Sequence, residues 1–226
     1  MAVERTVEFV TEVRQDSYVT SGEGTSGKLR LNPRGELVVP DFFTQLVLDG
    51  RVFNISNEVQ EGGATALIGE TAPGTNNVNP SIMVDVPTGT TIIPLEVMVM
   101  AESTGTSGDW VTVRISTDDK IRYSSGGNAL TPLNMRKDDP LASTCNCFDG
   151  SSQITASANT DDDIIWMASY DYSARAGERL EWTAKHYTPP VMIGPSSLLV
   201  FCDVSNVDEE ILFSVKWAEF QSADIT

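Results

Sequence analysis

The stretch that decides the fold is residues 92–101, Ile-Ile-Pro-Leu-Glu-Val-Met-Val-Met-Ala. From residue 93 onward an apolar or core-compatible side chain stands at every second position, and successive side chains of a β-strand point to opposite faces of its sheet. The residues predicted to share the core face are Ile93, Leu95, Val97, Val99 and Ala101. This alternation predicts a long strand with one buried face.

The same period of two recurs along the chain. The segments that show it are Ile82–Val86, Val111–Ile115, Ile121–Tyr123, Ile154–Ala158, Ile164–Tyr170, Leu180–Ala184, Leu198–Val204 and Ile211–Trp217. Turn residues at Asp118 and Asp119 predict one hairpin, and those at 205–210 predict another that closes the C-terminus. Because these strands are not interrupted by a convincing amphipathic helix, the sequence predicts an all-β, antiparallel β-sandwich, jelly-roll-like and single-domain.

The N-terminal part is less regular than the rest. Residues 1–35 are predicted to form an N-terminal strand or arm with a flexible Gly/Ser loop, and residues 36–226 the jelly-roll-like sandwich. Residues 41–49 fit either a short helix or a buried strand, and we favour the strand. Long polar stretches at 69–80 and 134–152 predict loops that contact something else.

The charge balance restricts the partners. The 226 residues carry 32 acidic and 15 basic side chains, a net charge of -17. Direct nucleic-acid binding is not expected, because it requires clustered Lys and Arg. Membrane insertion is not expected either, because the longest apolar runs are far shorter than about 20 residues. The first residues lack the pattern of a signal peptide, so we expect a cytoplasmic product.

Few residues suit catalysis. His186 is the single histidine, and we expect it to be an ordinary residue at a strand end. Cys145 and Cys147 are half of a zinc site that only Cys202 and His186 could complete, so we expect three free thiols and no cofactor. The sequence therefore predicts a protein that is not an enzyme; a pair of carboxylates acting on a glycan is the least favoured alternative.

One acidic run is a weak candidate for calcium. Asp161, Asp162 and Asp163 offer the hard oxygen ligands that calcium takes. A solvated turn is the more favoured interpretation, because the run lacks the spacing of a known calcium loop.

Two features suggest contact surfaces. Trp110 falls on the same strand face as Thr112, Arg114 and Ser116, which predicts an exposed ring or an interface anchor. The other three tryptophans are predicted to pack in the core.

The second feature is the stretch 134–150. Met135, Leu141 and Phe148 there predict an apolar contact with a neighbouring copy. Arg136 and Lys137 would meet an acidic patch of that neighbour, such as Asp161–Asp163 or Asp208–Glu210. The alternative is that the stretch folds back on its own sandwich.

Several segments resemble a known class of proteins. They are Thr90–Val99 after the turn Pro87–Gly89, Ala129–Arg136, and Gly194–Phe201 leading into Phe213–Trp217. In style they resemble the jelly-roll structural proteins of bacterial and archaeal viruses, in the capsid, decoration or spike class, over about residues 80–220.

The resemblance implies a non-enzymatic viral structural protein that forms or decorates the virion shell as a homo-oligomer. Its partners would be itself and other virion proteins, and its location the virion, assembled in the host cytoplasm. The acidic charge predicts an outward-facing position, away from packaged nucleic acid. The alternative is a carbohydrate-binding or receptor-binding head module, with a glycan receptor as partner.

Overall fold

The computed structural model describes residues 42–57, 78–101, 110–138, 140–158, 163–171, 179–204 and 211–224. The chain divides into two compact units, Met1–Asp49 and Gly50–Thr226. The predicted boundary at residue 35 and the predicted arm lie outside the described residues, as does most of the loop at 69–80.

In the first unit, the described residues form helix α1 (Phe42–Leu48). The side-chain amide of Gln45 donates to both carboxylate oxygens of Asp49 at 3.0 Å, and the Asp49 backbone N–H donates to the Gln45 carbonyl. Contacts at this spacing belong to helical geometry. The preference for a strand over residues 41–49 is therefore wrong.

In the second unit the described residues are mostly β. The strands are β1 (Val52–Ser56), β2 (Ile82–Val86), β3 (Thr90–Ala101), β4 (Trp110–Asp118), β5 (Tyr123–Ser125), β6 (Asn128–Leu130), β7 (Leu133–Asn134), β8 (Asn146–Asp149), β9 (Thr155–Ala156), β10 (Asp163–Asp171), β11 (Arg179–Thr183), β12 (Met192–Ile193), β13 (Ser196–Val204) and β14 (Ile211–Gln221). A short 3-10 turn, η1 (Ser222–Asp224), follows. Antiparallel sheets pack against each other, which confirms the predicted all-β sandwich.

Two six-stranded sheets form the sandwich. The first has the order β11-β3-β14-β1-β7, and β12 also pairs with β3. The second has the order β10-β4-β13-β2-β8-β6. A small ribbon of β5 and β9 stands apart from both.

Of the described strands, eight are five residues or longer: β1, β2, β3, β4, β10, β11, β13 and β14. In chain order, the first of these eight strands, β1, pairs with the eighth, β14. The second, β2, pairs with the seventh, β13. The third, β3, pairs with the sixth, β11, and the fourth, β4, pairs with the fifth, β10. All four pairs are antiparallel, so the long strands pair from the outside of the sequence inward.

Both predicted hairpins are wrong. The final long strands β13 and β14 lie in different sheets, so the chain crosses from one sheet to the other between them. Strand β4 pairs with β10 and β13, whereas β5 pairs with β9. Turn residues show that the chain reverses, but they do not determine which strand becomes the partner.

The long strand β3 departs from its predicted alternation at one point. A bulge shifts the register with β14, so that Lys216 lies opposite Glu96 while Trp217 lies opposite Pro94. Val97 and Val99 are buried as predicted, but before the bulge Ile92 and Pro94 are buried in place of Ile93 and Leu95. A bulge inserts one extra residue and so exchanges the two faces.

The main core fills the space between the sheets. Its largest members are Trp182 and Trp217, both predicted as core residues, with Phe53 stacked near Trp217 at a ring distance of 6.2 Å. Cys202 is also fully buried there, as its alternation with Leu198 and Val200 predicts. Around these residues the core face follows the period of two.

A second, smaller core lies on the other face of the second sheet. It consists of Met83, Ile154, Ala156, Leu199 and Phe201, with Tyr123 and Phe148 packed against it. All five residues of β2 are consequently buried. The second sheet is therefore covered on both faces over part of its area.

Candidate functional site

An apolar segment projects at the β7 edge of the first sheet. We call residues 133–141 the edge segment; the structure describes all of it except Asp139. Leu133, Met135 and Leu141 are exposed, at 53%, 38% and 58%. Exposed apolar side chains of this size that lie together mark a contact surface. Met135 and Leu141 of this surface are among the apolar contact residues predicted from the sequence.

The edge segment is held in shape by the buried side chain of Asn134. Its Nδ2 donates to the carbonyl of Gly50 at 2.7 Å and to that of Leu141 at 3.1 Å. Its Oδ1 accepts from the backbone N–H of Arg136 at 2.8 Å. Because these bonds join both ends of the segment, its apolar side chains are presented in a fixed arrangement.

The two basic side chains of the edge segment differ in their contacts. Arg136 binds Asp138 through its Nε at 2.9 Å. Lys137 is exposed, and within the described part of the chain no carboxylate lies within ion-pair distance of it. Lys137 therefore supplies the available positive charge of the segment.

Phe148 is the predicted contact residue that needs correction. It lies in β8, within the stretch predicted to be a loop, and its ring stacks on Tyr123 with centroids 3.8 Å apart and planes 2° apart. Both rings pack against the smaller core. Phe148 is therefore part of the fold of its own chain. For this residue the alternative applies, that the stretch 134–150 folds back on its own sandwich.

A groove of about 420 Å³ lies at the opposite edge of the sandwich. We call it the β12 groove. It is lined by Thr117, Asp118, Asp119, Lys120, Asp163, Pro190, Val191, Met192, Ile193 and Ser196. Val191 and Ile193 expose 56% and 55% of their surface, so the groove combines apolar walls with acidic groups.

The acidic lip of the groove is built on a buried ion pair. Arg122 Nη1 lies 2.6 Å from Asp118 Oδ2, and both side chains are only 1% exposed. The other carboxylate oxygen of Asp118 accepts from the backbone N–H of Lys120 at 3.1 Å. The turn that carries Asp119 and Lys120 is thus fixed from beneath.

This turn is also bound to the strands below it. Ser197 Oγ donates to Asp85 and accepts from the backbone N–H of Arg122 at 2.9 Å. Burial raises the pKa of Asp85, although these hydrogen bonds and the Arg122 charge oppose the shift. Apart from Asp118, which also lines the groove, this polar network lies beneath the surface and holds the groove in shape.

Asp163 is the described member of the predicted calcium run. It begins β10, is exposed and lines the β12 groove. Asp161 and Asp162 lie outside the described residues, so the calcium interpretation stays a prediction. Among the residues that the structure describes, no three His, Cys, Asp or Glu side chains are placed to hold a metal ion.

Trp110 begins β4, opposite Asp171 of β10. Its side chain lies outside the description. The face to which it was assigned is not open to solvent, however: Thr112, Arg114 and Ser116 are all buried. Arg114 lies over the ring of Phe201 at 4.1 Å. The expectation that this face is exposed is wrong, because side chains from β13 cover its polar groups.

The cysteines and the histidine lie apart from both surfaces. All three thiols are buried and free. Burial and the charge of Glu219 raise the pKa of Cys145 and of Cys147, which keeps these thiols protonated. His186 is exposed in a turn after β11, where its backbone N–H donates to the Thr183 carbonyl.

A second groove, of about 450 Å³, opens between β1 and β6. Its lining combines polar and apolar residues: Asn54, Ser56, Asn57, Asn128, Thr131, Asp149 and Ser151, with Ile55, Ala129, Leu130 and Leu133. Several of these bind their own chain: Asn57 accepts from the Phe213 N–H, and Asn54 accepts from Ser214. The groove is thus polar on only part of its wall, and it faces solvent.

The β12 groove could not be found from the sequence. Val191 and Ile193 follow a proline pair and resemble an ordinary turn, and Asp119 lies some 70 residues earlier in the chain. The pairing of β4 with β13, the strand that directly follows β12, brings them together. The available signal was the apolar run Val191, Met192 and Ile193, which is too short to interpret alone.

Comparisons with known proteins add no relative. The chain matches no family model, no curated protein and no solved structure. In the described part of the chain, no helix has the length and apolar character that crossing a membrane requires.

Proposed function

We propose that this protein is a non-enzymatic structural protein of a virus particle, and that its sandwich is a jelly roll. Many copies would form the shell or decorate it. The observation that carries the proposal is the pairing of the eight long strands from the outside of the sequence inward, first with eighth through fourth with fifth.

This pairing is what results when one long antiparallel hairpin is rolled into two four-stranded sheets, as in a jelly roll. The sheet orders support it: β1, β14, β3 and β11 are neighbours in one sheet, and β2, β13, β4 and β10 in the other. Jelly rolls are common in viral capsid proteins and in lectin domains. A fold alone does not specify a function, so the surfaces must separate these two classes.

The surfaces favour the shell protein. The exposed apolar residues of the edge segment and of the β12 groove lie at the two edges of the sandwich, where neighbouring subunits in a shell would meet. The net charge of -17 favours a position that faces outward or covers another protein layer, because nucleic acid would repel it. The partners would be other copies and other virion proteins, and the location the virion.

Light scattering and negative-stain electron microscopy of the purified full chain test this proposal. The expected result is a concentration-dependent oligomer, or binding of the chain to virus particles of its source. A chain that stays monomeric at every concentration and binds no particle would contradict it.

A glycan-binding head is the second candidate, and the polar groove between β1 and β6 favours it. Amide and hydroxyl groups such as those of Asn128 and Thr131 suit the hydroxyl groups of a sugar. A glycan array tests this candidate. Binding that is lost in Asn128→Ala would support it, and an array without signal would contradict it.

A further inference from the structure

We infer that the protein associates edge to edge, with the edge segment of one copy seated in the β12 groove of the next copy. The inference rests on one part of the proposed function, which is that copies of the chain associate with each other. It adds which surfaces meet. Each surface has an exposed apolar part, and exposed Lys137 on the segment matches exposed Asp163 in the groove; the segment also carries Asp138, which binds Arg136, and the groove also carries Lys120.

The apolar parts match in chemistry. Leu133, Met135 and Leu141 project from the edge segment, and Val191 and Ile193 line the groove. Each apolar side chain is stabilised in proportion to the surface area that it removes from water. Both surfaces are stabilised when one covers the other.

The charges match in the same way. Lys137 on the edge segment and Asp163 in the groove are both exposed, and neither has an ion-pair partner in the described part of the chain. Asp119 is exposed beside Asp163 and has only a long, solvated contact with Lys120 at 3.9 Å. Opposite charges on facing surfaces increase the association rate and fix the register of the contact.

Geometry prevents the two surfaces from meeting within one chain. In the first sheet they are separated by the order β12-β3-β14-β1-β7. Four steps of about 4.8 Å place the two edges roughly 19 Å apart. The segment of one copy can therefore fill only the groove of another.

The shape of both surfaces is fixed before association. Asn134 holds the edge segment, and the buried pair of Arg122 and Asp118 holds the groove lip. Surfaces that need no reordering lose less entropy on binding. Because the contact joins two different surfaces, it repeats from copy to copy and produces a ring or an open filament.

Two double variants of the full chain test the inference. The segment variant carries Lys137→Asp and Leu141→Ser, and the groove variant carries Asp163→Lys and Val191→Ser. All four positions are exposed, so both variants are expected to melt as the wild type does. Should either unfold, the single charge substitution of that surface replaces it. Met167→Ser is the matched control, because Met167 is exposed but does not line the groove.

Sedimentation velocity over a range of concentrations is the measurement. Each variant alone is expected to associate about tenfold more weakly than the wild type, or worse, because like charges then face each other. An equal mixture of the two variants is expected to form mainly dimers, because one intact segment and one intact groove remain to pair, whereas the altered segment and the altered groove have lost the apolar side chains of Leu141 and Val191. Lys137→Asp combined with Asp163→Lys in one chain is expected to restore association.

Three outcomes overturn the inference. If the variants associate as the wild type does, or if the mixture stays monomeric although the wild type assembles, the contact is a different one and the proposed function stands. If the wild type itself is monomeric at every concentration and binds no particle, the proposed function falls as well.

Discussion

Glu219 of β14 and Thr144, just before β8, join the two sheets of the sandwich. One carboxylate oxygen of Glu219 accepts from the backbone N–H of Thr144 at 2.8 Å and from its hydroxyl at 2.9 Å. The other oxygen accepts from Ser143 at 2.6 Å and from the indole N–H of Trp217 at 3.3 Å. A single carboxylate thus connects the strand that crosses the first sheet to the chain that enters the second.

Glu219→Ala is expected to lower the free energy of unfolding by about 2–3 kcal/mol, because charge-assisted bonds are lost and partly buried donors keep no partner. Urea unfolding at neutral pH measures the change. Glu181→Ala is the matched control, since Glu181 forms an exposed pair with Arg179 and should change stability by less than about 1 kcal/mol. Equal effects of the two substitutions would contradict the role given to Glu219.

The buried pair beneath the groove lip predicts a larger effect. Arg122→Met leaves the charge of Asp118 buried without its partner and is expected to cost about 3–5 kcal/mol. Lys120→Met removes only a solvated cation two residues away and should be nearly neutral. Chemical unfolding measures both variants and a double variant that combines Arg122→Met with Asp118→Leu. If the double variant is no more stable than Arg122→Met, the cost does not come from a buried uncompensated charge.

Asp203 predicts a pH dependence of stability. Burial raises the pKa of Asp203 to about 6, although the Arg114 charge opposes the shift. Because the pKa is higher in the folded state than its usual value of 3.8, the folded protein binds the proton more tightly than the unfolded chain. The contribution of Asp203 to stability therefore increases as the pH falls through 6 and is complete below about 3.8.

Asp203→Asn removes this dependence. As the pH rises from 4 to 7.5, the wild type is expected to lose at most about 3 kcal/mol of unfolding free energy through Asp203, and the variant does not lose this contribution. The raised pKa of Asp85 contributes in the same direction in both proteins and cancels in the difference. Urea unfolding at the two pH values measures it, and a difference that does not change with pH would refute the assignment.

The thiols predict slow chemistry in the native protein. Burial raises the pKa of Cys202 to about 12 and also raises the pKa of Cys145 and Cys147. Since the thiolate is the reactive form, a disulfide reagent at pH 8 is expected to react slowly until the chain is denatured, and then with three thiols. Rapid native reaction, or a mass lower by two units in the unreduced protein, would argue against buried free thiols.

The sequence by itself determined most of the long strands and much of their core faces. Val97, Val99, Phe213 and Trp217 are buried where the period of two places them, because a side chain's face depends only on its position along its own strand. Exposed Met135 and Leu141 were found for a similar reason, since a polar stretch with a few apolar side chains rarely buries them.

Only the tertiary structure decided which strand pairs with which. The pairing of β1 with β14 joins residues some 160 positions apart, and local propensity contains no signal at that distance. Strand pairing made part of the predicted loop 134–152 into β8 and packed Phe148 on Tyr123. It also covered the face around Arg114. The β12 groove arises in the same way, because its walls come from strand ends that meet only after both sheets have formed.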